Sequence, residues 1–393
     1  MVLAVGMVAQ GSFSALLLGM ASIAEEIRDE LGLSLAAVGA ILAAPAIGSI
    51  VSVLGWGALA DRVGERAVIA GGLAVAAGAL AATASADTAV ALGAGLAVAG
   101  VFGVSANAAS GRAVVAWFPR SERGLALGLR HMSTPLGGAL GAALLPVVAD
   151  AGGLEAALLA LAGTLATGSL AAFLGMRRPP PDILEAPPPG AAARPPAALR
   201  DPAIWTVSLG TAAVVLAQIS LLSFIALYLH EERGWSVTNA ALALAGVQLV
   251  GAVARVLAGV WSDRAGSRLR PLRLLALWSA IALATASALL GGPDALAAAA
   301  LAVAAILSMA GNGVSFAAVA EMTGPDRVGT ALGLQNTVLG VAVVVASPLF
   351  GALVGLVSWT AAFAITSLFP LIGWWLLRGL EARRAVGVRQ TAM

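Results

Sequence analysis

Apolar stretches of roughly 20 residues dominate the chain, and this feature decides what it can fold into. Each stretch can cross a hydrocarbon layer about 30 Å thick as an α-helix, and inside lipid only helices and closed barrels satisfy the backbone hydrogen bonds. Of 393 residues, 60% are hydrophobic and 11% are charged, which is unlike a soluble domain. The stretches lack the apolar–polar alternation of barrel strands. We therefore predict an all-α integral membrane protein.

Twelve such segments follow one another, and they predict twelve transmembrane helices. The first segment is longer than the core of a secretory signal and lacks a basic flank, so we expect it to remain as a helix. The predicted helices cover residues 2–24, 35–58, 67–86, 88–118, 124–149, 154–176, 203–229, 237–258, 271–291, 294–320, 327–354 and 357–378.

The distribution of arginine predicts the orientation. The chain has no lysine, so all 22 basic residues are arginines. Loops on one side of the predicted membrane contain only Arg28 and Arg233 among many carboxylates. Basic loops stay in the cytoplasm, so we expect both termini there, in the inner membrane of a bacterium. Because the arginines are spread over short loops, we expect them to meet membrane lipid and predict no nucleic-acid partner.

One segment, residues 177–201, interrupts the apolar pattern and contains eight prolines. This composition predicts a semi-rigid linker between two bundles, although it also fits a proline-rich docking ligand. We favour the linker as the simpler interpretation. The expected domains are an N-terminal six-helix bundle at 1–176, a cytoplasmic linker at 177–201, and a C-terminal six-helix bundle with a short tail at 202–393.

The two predicted bundles repeat each other in sequence. Three motif pairs recur with offsets of 208, 202 and 205 residues, and such similar offsets at distant places argue against coincidence. We infer parallel repeats about an axis along the membrane normal. The pairs are AQGS at 9–12 with AQIS at 217–220, GALADRVGER at 57–66 with GVWSDRAGSR at 259–268, and ALGL at 126–129 with ALGL at 331–334.

The second motif pair forms a hinge after the second helix of each half and predicts a gate. Glycines permit a tight turn, and the carboxylates of Asp61 and Asp263 can accept from arginines and from the N-terminus of a neighbouring helix. We interpret both as latch charges; solvated loop salt bridges worth under about 1 kcal/mol are the alternative. The predicted gating residues are Asp61, Arg62, Arg66, Asp263, Arg264 and Arg112.

Twelve helices, a central linker and two hinge copies resemble the major facilitator superfamily over the whole chain. The family pattern G-x-L-a-D-R-x-G-x-R is matched at Gly57, Leu59, Asp61, Arg62, Gly64 and Arg66, and again at Gly259, Asp263, Arg264, Gly266 and Arg268. The resemblance implies two pseudo-symmetric six-helix bundles that transport by alternating access. The chain departs from the proton-coupled drug exporters of that family, because residues 96–100 read LAVAG where those proteins carry an arginine, and 134–138 only partly match their helix 5 motif.

Charged side chains inside the membrane point to the cargo, because each costs about 2.5–3.5 kcal/mol near the bilayer centre and persists mainly where it functions. Three arginines lie within predicted helices: Arg112, Arg130 and Arg255. At the repeat offsets, the counterparts are Val53 for Arg255, Gln335 for Arg130 and Asn336 for His131. A structural charge would recur in both halves, so the asymmetry fits a substrate bound off-centre. The repeated pairs, Gln10 with Gln218 and Asn107 with Asn312, fit a shared framework of polar cavity groups.

A guanidinium binds a carboxylate through two parallel hydrogen bonds, and no Asp or Glu lies deep in a predicted helix to neutralise it. We therefore predict that Arg255 and Arg130 bind a small anionic substrate; structural hydrogen bonds to helix ends are the alternative. Arg255 also resembles the carboxylate-binding arginine of the superfamily's monocarboxylate and oxalate/formate branch. His131 is either a proton-coupling residue or a packed neutral histidine. The predicted substrate-binding residues are Arg255, Arg130, His131, Asn107, Asn312, Gln10, Gln218, Gln335 and Asn336.

Other classes of function find little support. The chain has no cysteine and shows no metal-ligand cluster, nucleotide loop or catalytic triad, so we expect no cofactor and no enzyme activity. The expected protein is a monomeric secondary transporter of a small organic anion, coupled to protons or exchanging anions. Two rivals stay open: a drug or metabolite exporter of the same fold working as a proton antiporter, and a non-transporting membrane sensor.

Overall fold

A computed structural model describes residues 1–177, 179, 198–323 and 327–391, and these residues form an all-helical structure. Within them, eleven helices are long and apolar enough to cross a membrane, and one of these, Arg123–Gly175, is broken at Gly152 and Gly153 and so provides two spans. The predicted all-α fold with twelve spans is confirmed. The spans are α1 (Val2–Leu31), α2 (Leu35–Val63), α3 (Glu65–Thr83), α4 (Ala89–Trp117), α5 (123–151), α6 (154–175), α7 (Pro202–Glu231), α8 (Val237–Arg264), α9 (Leu269–Leu289), α10 (Asp294–Met322), α11 (Val328–Leu356) and α12 (Trp359–Leu380).

The helices before both hinges are longer than the sequence predicts. The apolar pattern predicts that α2 ends at residue 58 and α8 at 258, whereas they continue to Val63 and Arg264. Charged residues end an apolar run but are good enough helix formers to continue the helix. The latch aspartates therefore lie in the last turns of helices. Gly64 and Gly266 then turn the chain with φ of 88° and 58°, angles that glycine adopts without strain.

Hydroxyl caps and glycines set the helix ends, and they recur at the repeat offset. Ser34 and Ser236 accept a hydrogen bond from a first-turn N–H of α2 and α8, at 3.3 and 3.1 Å. Gly32 and Gly234, two residues earlier, have φ of 61° and 66°. Both pairs are 202 residues apart, like the hinge motifs. The internal repeat therefore extends to the residues that begin and end the helices.

The chain divides into two compact units, and each contains a segment from the other half of the sequence. Unit 1 comprises Met1–Pro119, Arg130–Ala198 and Thr323–Thr337, and unit 2 comprises Arg120–Leu129, Leu199–Met322 and Val338–Met393. The start of α5 thus belongs to unit 2, and the start of α11 belongs to unit 1. The bundle limits at 176 and 202 stay a prediction, and most of the linker 177–201 lies outside the described residues.

Each unit buries its own apolar core. The core of unit 1 consists mainly of alanine, leucine, isoleucine and valine from α1 to α6. The core of unit 2 contains aromatic rings whose neighbouring centroids lie 4.8–6.3 Å apart: Phe224, Tyr228, Phe350, Trp359 and Phe363. Tilted and edge-to-face pairs of this kind add about 0.5–1.5 kcal/mol each beyond their burial. These cores fix the helices that carry the polar side chains.

Glycines bring α1 and α5 into backbone contact within unit 1. A Cβ at Gly137 would overlap the main chain of Gly11. A Cβ at Gly141 would lie 2.7 Å from the carbonyl oxygen of Ala15 and 2.9 Å from the Cα of Gly19. Small residues at such crossings let membrane helices approach closely.

We predict that Gly141→Ala lowers the melting temperature of the detergent-solubilised protein. The methyl group gains about 0.5–1 kcal/mol of helix propensity, but overpacking costs about 1–3 kcal/mol. Gly163→Ala is the matched control, because a Cβ there meets no atom within 4 Å, and its melting temperature should stay the same or rise. Equal melting temperatures for the two variants would contradict the close crossing.

Candidate functional site

In unit 1, Asp61 at the end of α2 closes over the first turn of α11. Its Oδ1 accepts from the main-chain N–H of Gly329 at 2.8 Å, and its Oδ2 accepts from the N–H and the hydroxyl of Thr330, each at 2.7 Å. Arg112 of α4 donates to Asp61 at 3.1 Å and also to Glu65. The Asp61 side chain is 7% exposed. We call these five residues the Asp61 cluster.

Unit 2 contains an equivalent arrangement at the end of α8. The oxygens of Asp263 accept from the N–H groups of Gly124 and Leu125 in the first turn of α5, at 2.9 and 2.8 Å. Arg268 donates to Asp263 at 2.5 Å and to Glu321 of α10 at 2.9 Å. The side chains of Asp263 and Arg268 are both buried. We call these five residues the Asp263 cluster.

Both clusters hold the N-terminus of a helix from the other half of the sequence. The first N–H groups of a helix lack partners within it and carry partial positive charge, so a carboxylate over them is stabilising. Glycines permit the approach, because Gly57 packs against Gly329, and Gly259 against Gly124, with no room for a Cβ. The carboxylate that accepts from an arginine and a helix N-terminus is therefore present twice, while its role in gating stays a prediction.

The arginine and the second acid of each cluster come from different structural elements in the two units. In the Asp61 cluster the arginine lies on helix α4, and the second acid, Glu65, directly follows the hinge turn. In the Asp263 cluster the arginine, Arg268, follows the hinge turn, and the second acid, Glu321, lies on helix α10. Each arginine thus bridges two carboxylates, but the arginine comes from a transmembrane helix in one cluster and from the segment after the hinge turn in the other.

Sequence reasoning missed Glu65, Arg268 and Glu321 as members of these clusters. Glu65 lies in the first hinge motif at a place where the copies differ, since the second copy has Ser267 there, and this difference was the available signal. Arg268 ends the second motif as Arg66 ends the first, so nothing in the sequence indicates that only one of the two joins a cluster. Glu321 ends an otherwise apolar segment and gives no local signal of its partner, which is 53 residues away.

Three predicted gating arginines lie outside both clusters, and their role in gating stays a prediction. Arg62 and Arg264 each follow a latch aspartate on a helix, and adjacent helical residues point about 100° apart. Their side chains are therefore exposed, on a different face from the carboxylates. Arg66 stacks over the ring of Phe173, 4.7 Å from its centroid.

Arg130 on α5 is completely buried in unit 1, with 0% exposure. Its Nε donates to the hydroxyl of Ser110 at 2.9 Å, and its Nη2 donates to the main-chain oxygen and Oδ1 of Asn107 at 2.6 and 2.8 Å. Its Nη1 lies 3.3 Å from Nε2 of His131, and an imidazole that accepts there is neutral. Among the described residues, Arg130 hydrogen-bonds to no carboxylate, so no ion pair offsets its charge.

The contacts of Arg130 lie within the protein, and its direct contact with a substrate stays a prediction. In this conformation its N–H groups are used within the protein, and the guanidinium is shielded from solvent. Its repeat counterpart, Gln335, is also fully buried. The partly exposed groups beside Arg130 are Asn107 and His131, so these side chains form the accessible part of the site.

The polar network of unit 1 continues to α1 and α11. Gln10 donates to Thr134 at 3.0 Å and accepts from Ser110 at 3.4 Å. Asn107 donates to Asn336 at 3.2 Å. The structure therefore joins five predicted substrate-binding residues in one network: Gln10, Asn107, Arg130, His131 and Asn336.

In unit 2, Arg255 of α8 is buried as well, at 7% exposure. Its Nε donates to the main-chain oxygen of Met309 on α10 at 3.3 Å. Asn312 of α10 donates to Gln218 of α7 at 3.2 Å, and Gln218 is 5% exposed. The three predicted substrate-binding residues of this unit thus lie on α7, α8 and α10.

The family follows from comparison with known proteins. The profile of the Major Facilitator Superfamily matches residues 2–318. The chain belongs to the major facilitator superfamily. It is therefore a membrane transporter of that class, and the resemblance seen in the hinge motifs is confirmed.

Relatives within this superfamily cover most of the chain. An uncharacterized MFS-type transporter of Mycobacterium tuberculosis is 34% identical over 364 residues, which cover 90% of this chain and 79% of the relative. The probable sulfoacetate transporter SauU of Cupriavidus necator is 29% identical over 351 residues, which cover 84% and 81%. The crystal structure of the transporter FucP in the outward conformation matches with a TM-score of 0.75 at 16% identity, over 96% of this chain and 98% of that chain, which shows a shared fold.

We predict that removing the charge of Asp61 loosens the first turn of α11. Because the chain contains no cysteine, a single Ala331→Cys substitution reports its own accessibility to a maleimide, and Ala331 is 0% exposed. Asp61→Asn in this background should raise the labelling rate about tenfold, since charge-assisted hydrogen bonds contribute about 1.5 kcal/mol or more.

The control is Asp150→Asn, which removes an exposed carboxylate outside the clusters and should leave the rate unchanged. Ala126→Cys combined with Asp263→Asn repeats the measurement in unit 2, where Ala126 is 2% exposed. If labelling is equally slow with and without the two aspartates, the clusters do not act as latches.

Proposed function

We propose that this transporter moves a small organic anion, a carboxylate or a sulfonate, across the bacterial inner membrane by alternating access. The observation that carries the proposal is the buried charge of Arg130. A carboxylate partner would cancel that charge, whereas Ser110 and Asn107 satisfy its hydrogen bonds and leave it in place. A positive potential inside a membrane protein attracts anions and repels cations.

Asn107 and His131, rather than Arg130 itself, make the first contact with the cargo in this proposal. The amide of Asn107 accepts from Arg130 and donates to Asn336. Hydrogen bonds in such a chain polarise one another, so this amide is a stronger donor than an isolated one. An anionic oxygen of the cargo can replace the neutral oxygen of Asn336 as its acceptor.

Arg255 supplies a second cationic group, in unit 2. Its planar guanidinium matches a carboxylate or sulfonate through two hydrogen bonds, and its repeat counterpart is the apolar Val53. The relative SauU is named for sulfoacetate, a small organic anion that carries both kinds of acid group. This relative supports a carboxylate or a sulfonate as the cargo and does not identify the compound.

The transport cycle needs an energy source. In this proposal the cargo is coupled either to a proton carried by His131 or to the exchange of another anion. A neutral imidazole accepts from Arg130, whereas a protonated one would place two cations side by side. An anion bound next to both would offset that repulsion, so cargo and proton would bind together. Cargo-driven acidification of a liposome lumen, lost in His131→Gln, would distinguish symport from exchange.

The Asp61 and Asp263 clusters act as the gate of this cycle. They hold the cytoplasmic ends of their helices together in one state and release them in the other. The hydrogen bonds in both clusters are charge-assisted. When the helix ends separate, solvent can take the place of the protein partners, so the clusters can break and re-form. Both termini are expected on the same, cytoplasmic side of the membrane as these clusters.

We predict that small carboxylates and sulfoacetate raise the melting temperature of the purified transporter. For the anion with the largest effect, Arg255→Lys should weaken binding about tenfold, because it keeps the charge and loses the guanidinium fork. Arg255→Gln should weaken it about a hundredfold, since loss of one partner of a buried charged contact costs about 2–5 kcal/mol.

Arg270→Gln is the control, because Arg270 is exposed and lies outside the proposed site. Neutral amides of the same acids should not stabilise the protein. Stabilisation by hydrophobic cations that survives Arg255→Gln would instead favour a drug exporter, and the anion proposal would then fail.

A further inference from the structure

A cavity of about 750 Å³ opens at one end of unit 1, beside the Asp61 cluster and apart from the Arg130 network. Its volume falls within the range of about 300–1,000 Å³ that is typical of ligand sites. It is formed by the hinge after α2, the start of α3 and the ends of α4 and α6. The residues that line it include Glu65, Arg66, Gly71, Trp117, Phe173 and Arg177.

The rim of this cavity is cationic. The side chain of Arg66 is exposed and stacks on Phe173, and it makes no hydrogen bond or ion pair with another described residue. The side chain of Arg177 is exposed as well. Glu65 is the one acid among the lining residues, and Arg112 already offsets its charge. The rim therefore offers two guanidinium groups to an anion.

The floor of the cavity is apolar, because it is lined mainly by alanine, glycine, valine and methionine. Phe173 is 54% exposed, and Leu170 and Leu174 on the same helix are 57% and 64% exposed. This surface continues from the cavity along α6. The indole N–H of Trp117 donates to the main-chain oxygen of Arg177 at 3.0 Å, a position that suits the boundary between lipid and water.

We propose that this cavity binds one anionic glycerophospholipid of the inner leaflet. Its phosphate lies between Arg66 and Arg177, and an acyl chain lies along Phe173 and the apolar floor. The arginine distribution places this end of unit 1 on the cytoplasmic side, where anionic lipids attract basic residues with about 1 kcal/mol per arginine. A soluble anion would use the rim and leave the apolar floor without a role.

Glu65 connects this lipid site to the gate. It lines the cavity, and Arg112 bridges it to Asp61. A lipid phosphate next to Glu65 adds negative charge beside the Asp61 cluster. The lipid site is independent of the nature of the cargo, because none of its lining residues belongs to the Arg130 network.

The test measures binding of phosphatidylglycerol to the delipidated full-length protein in a neutral detergent, by native mass spectrometry and thermal melting. We expect one retained phosphatidylglycerol and a higher melting temperature, with a smaller effect of phosphatidylcholine that has the same acyl chains. Arg66→Gln combined with Arg177→Gln should weaken the affinity about twentyfold or more, from about fivefold for each arginine.

Two further variants separate the parts of the site. Arg200→Gln combined with Arg270→Gln removes two exposed arginines outside the cavity and should bind phosphatidylglycerol like wild type. Gly71→Phe fills the cavity while keeping both rim arginines, because a Cβ at Gly71 meets no atom within 4 Å, and it should lose the lipid.

Three outcomes would overturn the proposal. Phosphatidylcholine could bind as well as phosphatidylglycerol, which would remove the role of charge. Glycerol phosphate alone could stabilise the protein as much as the lipid, which would make the cavity a soluble-phosphate site. Gly71→Phe could bind the lipid like wild type, which would place the lipid elsewhere.

Discussion

A carboxylate over the first turn of a helix is the interaction on which both units depend. Helix N-termini carry N–H groups without partners in the helix, and in this chain Asp61 and Asp263 accept from two such groups each. The other hinge features serve this contact. Glycines such as Gly57 let the helix backbones approach, Gly64 turns the chain directly after the carboxylate, and an arginine balances its charge. Because these bonds join segments from opposite halves of the sequence, their loss would release the N-termini of α5 and α11, as the proposed gate requires.

The internal repeat distinguishes the residues that recur in both halves from the arginines that occur once. The latch aspartates, the hinge glycines and the serine caps recur at one offset, while Arg130 and Arg255 do not recur. Recurring residues set the helix ends and the close helix approaches in each unit. Away from the hinges, the recurring amides are uncharged: Gln10 with Gln218, and Asn107 with Asn312. The two arginines add positive charge there, and this asymmetry gives the site its expected preference for anions.

Sequence and structure agree where a feature is local. Apolar runs predict the spans, and a glycine followed by a charged residue predicts the hinge turn. The sequence did not predict the partners of Arg130, because Ser110 and Asn107 are 20 and 23 residues away and reach it only through packing of α4 on α5. It also gave no reason to expect Arg62 outside the Asp61 cluster, because that depends on the helix continuing past the apolar run. Local pattern thus finds the candidate charges, and tertiary contacts decide which of them are buried, bridged or exposed.

The most direct test of the anion claim supplies the missing carboxylate. Ser110 is fully buried and accepts from Arg130 at 2.9 Å, so Ser110→Asp would neutralise the guanidinium in place, and Ser110→Asn provides a control of the same size. The measurement is the initial rate of uptake into proteoliposomes of the anion that stabilises the protein most. The account predicts a rate at least about tenfold lower for Ser110→Asp than for Ser110→Asn, from a lost interaction of about 1.4 kcal/mol. Equal rates for the two variants, with both proteins folded, would contradict it.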